Sequence, residues 1–335
     1  NQDGRKTSNH EIDYSKFDIT ADDVIVFLHI QNTGGNVFGR HLVEDLLLDR
    51  PCDCDNSKPS HRRKCQCFRP NRKSLWLLSR WTIGWKCGVH PDWTELTYCV
   101  DKVLDELEGD VIKRRYFYIT LLRDPITRFI SEYFHYSNQD YNNGKASRHW
   151  CGGKEVKSIP KCYFKREITI NEFLNCSNNL AINRQTRMLS DLTLVGCYNK
   201  TFLSKEERDL ILLTSAKSNL HKMAYFGLTE FPRISQYLFQ ETFDLMFLDA
   251  DTHSLHRNKR SLLDDFDSKT IEQIKIANYL DIELYEYAKE LMFERFEKIK
   301  HRNPKLKHLP VIKVAKDNND IVNWGESEDE QGFIN

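Results

Sequence analysis

The sequence predicts an α/β fold, a central parallel sheet flanked by helices, and three stretches predict it. Val24-Ile25-Val26-Phe27-Leu28 is an apolar, β-branched run that ends in a Thr33-Gly34-Gly35 turn and enters an amphipathic segment with Val37, Phe38, Leu42, Val43, Leu46 and Leu47. Tyr116 to Leu122 is a second apolar run, followed by Arg123-Asp124-Pro125 and another amphipathic segment. A shorter run, Ala224 to Leu228, leads into a helical pattern over 230–243. Strands that alternate with helices join in parallel, because each crossover helix carries the chain back across the sheet.

Each element follows from local pattern. Residues 1–20 are polar and without periodicity, as in a stem or linker. Residues 21–50 form the first strand–loop–helix unit, whose loop turns backbone N–H groups toward an anion at the positive end of a helix dipole. The GxxxxGK[ST] spacing of a Walker loop is absent, and a Gly-Gly turn also serves simple chain reversal. Residues 51–75 are a loop rich in cysteine, proline and basic side chains. A helix over 94–108 buries Leu96, Val100, Val103, Leu104 and Leu107.

Residues 116–136 form the second strand–helix unit, and Pro125 suits a first helical turn. Arg123 then ends the strand and Ser131 lies about two turns into the helix. A guanidinium and a hydroxyl so placed bind a phosphate; alternatively, Arg123 and Asp124 form a surface pair. Residues 137–169 read as a polar insertion, 170–190 and 204–222 as helices, and 268–300 as one long amphipathic helix. The chain thus divides into a stem (1–20), one domain (21–303) and a polar tail (304–335) expected to be disordered.

The 335 residues carry 49 Lys plus Arg and 49 Asp plus Glu, so overall charge favours no anionic partner. Local charge does. Arg62, Arg63, Lys64, Arg69, Arg72, Lys73 and Arg80 crowd one segment, interleaved with Phe68, Trp76, Trp81 and Trp85, which suits a polyanionic chain. No DNA- or RNA-binding signature accompanies it, so nucleic acid is not the expected partner. Ten cysteines fit five disulfides in an oxidising compartment. Cys52-x-Cys54 and Cys65-x-Cys67 also invite zinc, although structural zinc pairs are usually spaced more widely. Asn175-Cys176-Ser177 and Asn199-Lys200-Thr201 are N-glycosylation acceptors. No apolar run approaches the ~20 residues of a membrane span.

Strand–(Gln31-Asn32-Thr33-Gly34-Gly35)–helix followed by strand–Arg123-Asp124-Pro125-x-x-Arg128-x-x-Ser131 resembles the nucleotide-binding pair of Golgi sulfotransferases, which use 3′-phosphoadenosine 5′-phosphosulfate (PAPS). Trp85-Lys86-Cys87-Gly88-Val89-His90-Pro91-Asp92-Trp93, Asn183-Arg184-Gln185-x-Arg187-Met188-Leu189, Leu194-Val195-Gly196-Cys197-Tyr198-Asn199 and Phe226-Gly227-Leu228-Thr229-Glu230-Phe231 narrow the likeness to heparan-sulfate 6-O-sulfotransferases. The resemblance covers roughly residues 21 to 300.

It implies a P-loop-like sulfotransferase fold with a disulfide-rich loop insertion. His29, Ile30, Gln31, Asn32, Thr33, Gly34, Gly35, Asn36 and Val37 would hold the 5′-phosphosulfate, and Arg123 and Ser131 the 3′-phosphate. Thr252, His253 and Arg257 would close the site, although Thr252-His253-Ser254-Leu255-His256-Arg257-Asn258 departs from the family's Gln-Tyr-Asn-Ser-Thr-Arg. His90 would be the general base, with Arg63, Lys64, Arg80, Trp85 and His135 contacting heparan sulfate or a heparin oligosaccharide. The family needs no metal. Its members are single-pass type II glycoproteins of the Golgi lumen, so an N-terminal anchor is expected outside this chain.

One departure bears on activity. Asn32 stands where the family loop has a lysine that neutralises the leaving phosphate, and Asn carries no charge. Two readings follow: an active transferase in which another cation stands in (Arg40 or Arg257 are the candidates the sequence offers), or a heparan-sulfate-binding homologue with weakened catalysis. A P-loop kinase is excluded by the missing Walker lysine and magnesium motif.

Overall fold

β1 (Asp23–Leu28) is buried along its whole length, as expected of a strand covered on both faces. In this computed structural model, which describes residues 16–57, 63–88, 90–137, 149–156, 162, 168–248 and 262–302, β1 lies inside a four-stranded parallel sheet. The sheet order is β4 (Leu77–Leu78), β1, β5 (Arg115–Leu122), β8 (Tyr225–Leu228). Most of the expected stem, the tail from 304, most of the insertion, and Thr252, His253 and Arg257 lie outside the described residues.

Register sets the site. Ile25 pairs with Phe117 and Leu28 with Thr120, while Ile119 pairs with Tyr225 and Leu122 with Leu228. The carboxyl ends of β1, β5 and β8 therefore open on one edge, where α/β sheets place ligands. Both ends of β1 are fastened. Thr120 donates from Oγ1 to the Leu28 carbonyl at 2.8 Å, and Arg115 Nε donates to the buried Asp23 carboxylate at 2.6 Å.

α1 (Gly35–Glu44), α2 (Trp93–Glu108), α3 (Pro125–Ser137), α6 (Lys205–Lys222) and α7 (Pro232–Phe243) flank the sheet. The helices α2 and α6 begin on capping boxes, Asp92 with Glu95 and Ser204 with Glu207, each satisfying otherwise unpaired N–H groups. Phe38 of α1 packs edge-on against Phe239 of α7 and beside Tyr225 of β8, which locks helix to sheet through aromatic contact.

Two expected helices are divided. The long helix breaks into α8 (Ser268–Ala277) and α9 (Tyr279–Arg302) at the buried Asn278. The Asn278 side chain donates to the Ile274 carbonyl at 2.9 Å and accepts from the Asn183 N–H at 3.1 Å, so it competes with the helix for backbone partners. The 170–190 segment splits into α4 (Ile170–Asn175) and α5 (Arg184–Leu189). Asn183 just before α5 is left-handed (φ 47°), a conformation Asn tolerates.

All ten cysteines pair: Cys52–Cys67, Cys54–Cys65, Cys87–Cys99, Cys151–Cys197 and Cys162–Cys176. The zinc alternative is thereby corrected. The two C-x-C pairs face each other across a two-stranded ladder, β2 (Asp53–Cys54) and β3 (Cys65–Gln66), as two consecutive cross-links. A second short ladder, β6 (His149–Cys151) with β7 (Lys154–Val156), is tied down through Cys151. Among the described residues no His/Cys/Asp/Glu group is arranged to hold a metal, and no helix is long and apolar enough to cross a membrane. Alkylation before reduction should find no free thiol; a reactive cysteine would contradict this pairing. Replacing Cys52, Cys54, Cys65 and Cys67 together by Ser should cost about 2–4 kcal/mol, since closing such a loop restricts the unfolded chain, and urea unfolding measures it.

Candidate active site

The first loop is built to receive an anion. Thr33 Oγ1 donates to the Ile30 carbonyl at 2.9 Å and closes the turn. Asn32 (φ 61°) and Gly34 (φ 80°) take left-handed conformations, which leads the chain directly into α1. Gly34 caps α1 without a side-chain acceptor, and the first turn holds no acidic residue. The helix's leading N–H groups thus have no side-chain partner of their own, the condition under which they bind phosphate or sulfate. A Cβ at Gly35 would overlap the His29 ring, so only glycine fits there.

Arg123 joins this loop from the end of β5. Its Nη1 donates to the Asn32 carbonyl at 3.2 Å. Its backbone is held by Gln185, whose Oε1 accepts from the Arg123 N–H at 3.0 Å and whose Nε2 donates to the Arg123 carbonyl at 2.9 Å. Gln185 is held in turn by Asp281, which accepts from the Gln185 and Thr186 N–H groups at 3.1 and 2.7 Å. Asp124 turns to cap α3, accepting from the Thr127 N–H at 2.9 Å. Ser131 is half-buried on α3.

Most of the residues expected on the acceptor side come from the segment between β3 and α2. A 3₁₀ turn (Gly84–Cys87) precedes His90, and the Cys87–Cys99 bond fastens that turn to α2. Arg80 Nη1 lies 3.3 Å from Asn36 Oδ1 and 3.5 Å from His90 Nε2. Lys64 donates to the Arg80 carbonyl at 3.2 Å and stands over the half-exposed Trp85 ring at 5.5 Å. Arg63 pairs with Glu44 at 3.1 Å. Of the five residues expected to meet the sugar chain, Arg80 reaches His90 and Lys64 links it to Trp85, while Arg63 is paired with Glu44 at the end of α1 and His135 lies in the last turn of α3.

Burial and neighbouring cations favour the neutral form of both imidazoles. Burial, then the neighbouring His29, then the Arg80 and Arg184 guanidiniums hold His90 well below the usual imidazole range, against a smaller opposing effect of the His29 backbone. A neutral His90 offers a lone pair, and the Arg80 N–H faces Nε2. His29 is also held well below, by burial first and then by Arg80. Its buried ring stacks on Phe27 at 5.7 Å, meets His90 edge-on at 5.1 Å, and has no hydrogen-bond partner at either nitrogen. It is therefore no ionic partner for a phosphate.

Some supporting residues had no role in the sequence reading. Glu132 of α3 sits between Arg128, at 2.5 Å, and Arg184, which it accepts from at both carboxylate oxygens. Burial would raise the Glu132 carboxyl, but Arg184 and then Arg128 outweigh it and hold it at about 2. Asp92 moves the other way, pushed up to about 7 by burial and then by Glu95. Tyr198 donates to Asp92 at 3.3 Å. The signal for these residues was the Arg128 and Asn-Arg-Gln motifs, which mark positions but not partners 52 or 62 residues away.

The chain matches the model of the sulfotransferase family over residues 15–288. It is 48% identical over 289 residues to heparan-sulfate 6-O-sulfotransferase 1 of Homo sapiens, covering 84% of this chain and 68% of that protein. It is 47% identical over 293 residues to heparan-sulfate 6-O-sulfotransferase 3-B of Danio rerio, covering 85% and 68%. It is 45% identical over 293 residues to heparan-sulfate 6-O-sulfotransferase 2 of Gallus gallus, covering 85% and 71%.

Proposed function

Because the chain belongs to the sulfotransferase family, among the heparan-sulfate 6-O-sulfotransferases, we propose that it moves a sulfuryl group from PAPS to the 6-hydroxyl of glucosamine units in heparan sulfate. The observation that carries this reading is the meeting of the anion-receiving loop with His90 through Arg80. The first turn of α1 receives the phosphosulfate and Arg123, with Ser131, the 3′-phosphate. His90 Nε2 takes the proton of the acceptor hydroxyl. General-base action by imidazole needs a neutral ring at working pH, which its surroundings favour here.

Asn32 favours the second reading, a heparan-sulfate-binding homologue. Its side chain is buried, uncharged, and has no partner for Oδ1. Incubation of the chain with labelled PAPS and N-sulfated heparosan, followed by disaccharide analysis, separates the two. Label on the 6-position supports the transferase. No label, with heparin still bound, supports the binding protein.

The expected setting is the Golgi lumen, with the protein held there by an N-terminal anchor. Five disulfides support an oxidising compartment. Asn175 and Asn199 are exposed, as acceptors of N-glycans must be.

The basic face has its own test. Replacing Arg63 and Lys64 by Ala should bring elution from heparin to lower salt and lower the log–log salt slope by about one per cation removed, the counterion argument for nucleic acids applied to another dense polyanion. Unchanged elution would make the segment an ordinary solvated surface.

A further inference from the structure

The nucleotide loop brings no cationic side chain of its own. From His29 to Val37 its side chains are neutral, His29 included. Two guanidiniums reach it from other elements, Arg123 at the Asn32 carbonyl and Arg80 at the Asn36 side chain. Arg123 comes from β5, on the side assigned to the nucleotide 3′-phosphate. Arg80 comes from the turn after β4, and the nitrogen that reaches Asn36 is also the one facing His90 Nε2. That nitrogen lies between the loop that would hold the donor and the atom that would take the acceptor's proton. The sulfuryl group must cross this interval, since the attacking oxygen, sulfur and leaving oxygen stand in line.

We propose that Arg80 is a catalytic residue, donating hydrogen bonds to the sulfuryl and bridging oxygens during transfer and supplying the positive charge that the loop lacks. The proposal rests on the transferase reading above. In the step, a bond forms between the acceptor oxygen and sulfur while the bond from sulfur to the 5′-phosphate oxygen breaks. The electron pair stays on that phosphate oxygen, and the acceptor's proton goes to His90 Nε2. Negative charge therefore grows at the departing oxygen, where a guanidinium favours the transition state over the ground state. The planar fork of Arg suits two oxygens at once. Arg80 is also anchored at both ends, since Lys64 holds its carbonyl and Asn36 its side chain.

The sequence alone assigned Arg80 to the sugar chain, and kinetics distinguish the two roles. Wild type, Arg80→Ala, Arg80→Lys and Arg80→Ala with Asn32→Lys are compared for kcat, both KM values, binding of adenosine 3′,5′-bisphosphate and Tm. Arg80→Ala should lower kcat about 100-fold or more, with acceptor KM and nucleotide affinity within about threefold. Arg80→Lys should fall between the two, and Asn32→Lys should return about tenfold or more to the alanine variant. A raised acceptor KM at unchanged kcat, as a sugar contact would give, overturns the proposal. So does a loss of kcat matched by lost nucleotide binding and lower Tm in both Arg80 variants. An inert wild type overturns the transferase reading, and this inference with it; an active wild type with an indifferent Arg80 overturns this inference alone.

Discussion

His90→Ala is expected to lower sulfate transfer by roughly 100- to 10,000-fold while leaving nucleotide binding unchanged. In the proposed transferase the imidazole acts on the acceptor hydroxyl and the nucleotide is held by the first turn of α1 and by Arg123, which the substitution does not touch. Single-turnover transfer measures the first quantity and calorimetry with adenosine 3′,5′-bisphosphate the second. A variant keeping more than about a third of wild-type kcat would take His90 out of the mechanism. The pH profile gives an independent check. A base works when deprotonated, and His90 is held well below the ordinary imidazole range. Activity should therefore persist on the acid side of that range, and its acid limb should lie below where a solvent-exposed histidine would put it. Burial sets this limb first, and His29, Arg80 and Arg184 add to it.

Glu132→Ala should cost about 3–5 kcal/mol of stability, because it leaves Arg128 and Arg184 buried without their shared counter-charge. In a domain of this size that lowers Tm on the order of 10 °C. Thermal unfolding measures it, and an unchanged Tm would show that the triad contributes no net stability. The pH dependence has a definite sign. The Glu132 carboxyl is at about 2 in the folded chain, against an ordinary value of 4.5. Its stabilising effect is fully present above that ordinary value and fades as pH falls from there through the folded value. Wild type should thus lose its advantage over the variant in acid, with the two melting curves converging.

The two strand–loop–helix units were legible because a strand buried on both faces spells an uninterrupted apolar run, and Thr33-Gly34-Gly35 marks the turn. The starts of α2 and α6 were placed within one residue by pattern alone, although the capping boxes that fix them, Asp92 with Glu95 and Ser204 with Glu207, went unread. β4 was not, since two residues carry no period. The break at Asn278 was hidden because its reason, the Asn183 N–H, lies 95 residues away. Pairings behave likewise. Neither the disulfide partners nor the grip of Gln185 on Arg123 leaves any trace in local pattern. The same limit bears on the cation near Asn32. The sequence offered Arg40 and Arg257; folding brings Arg123 to the Asn32 carbonyl and Arg80 to the Asn36 side chain, and Arg257 lies outside the described residues.

The Cys87–Cys99 bond makes the segment containing His90 a covalent ring, closed over a separation of 12 residues. The sheet and its helices depend on apolar burial and on the other four disulfides, which the loss of this one link leaves in place. Opening the ring would free the base while the loop before α1 stays on its strand. Replacing Cys87 and Cys99 by Ser should then lower transfer far more than it lowers Tm, so that donor capture and group transfer part company. A chain without that link would be a holder of nucleotide without being its consumer, and closure of the ring would be the event that arms it.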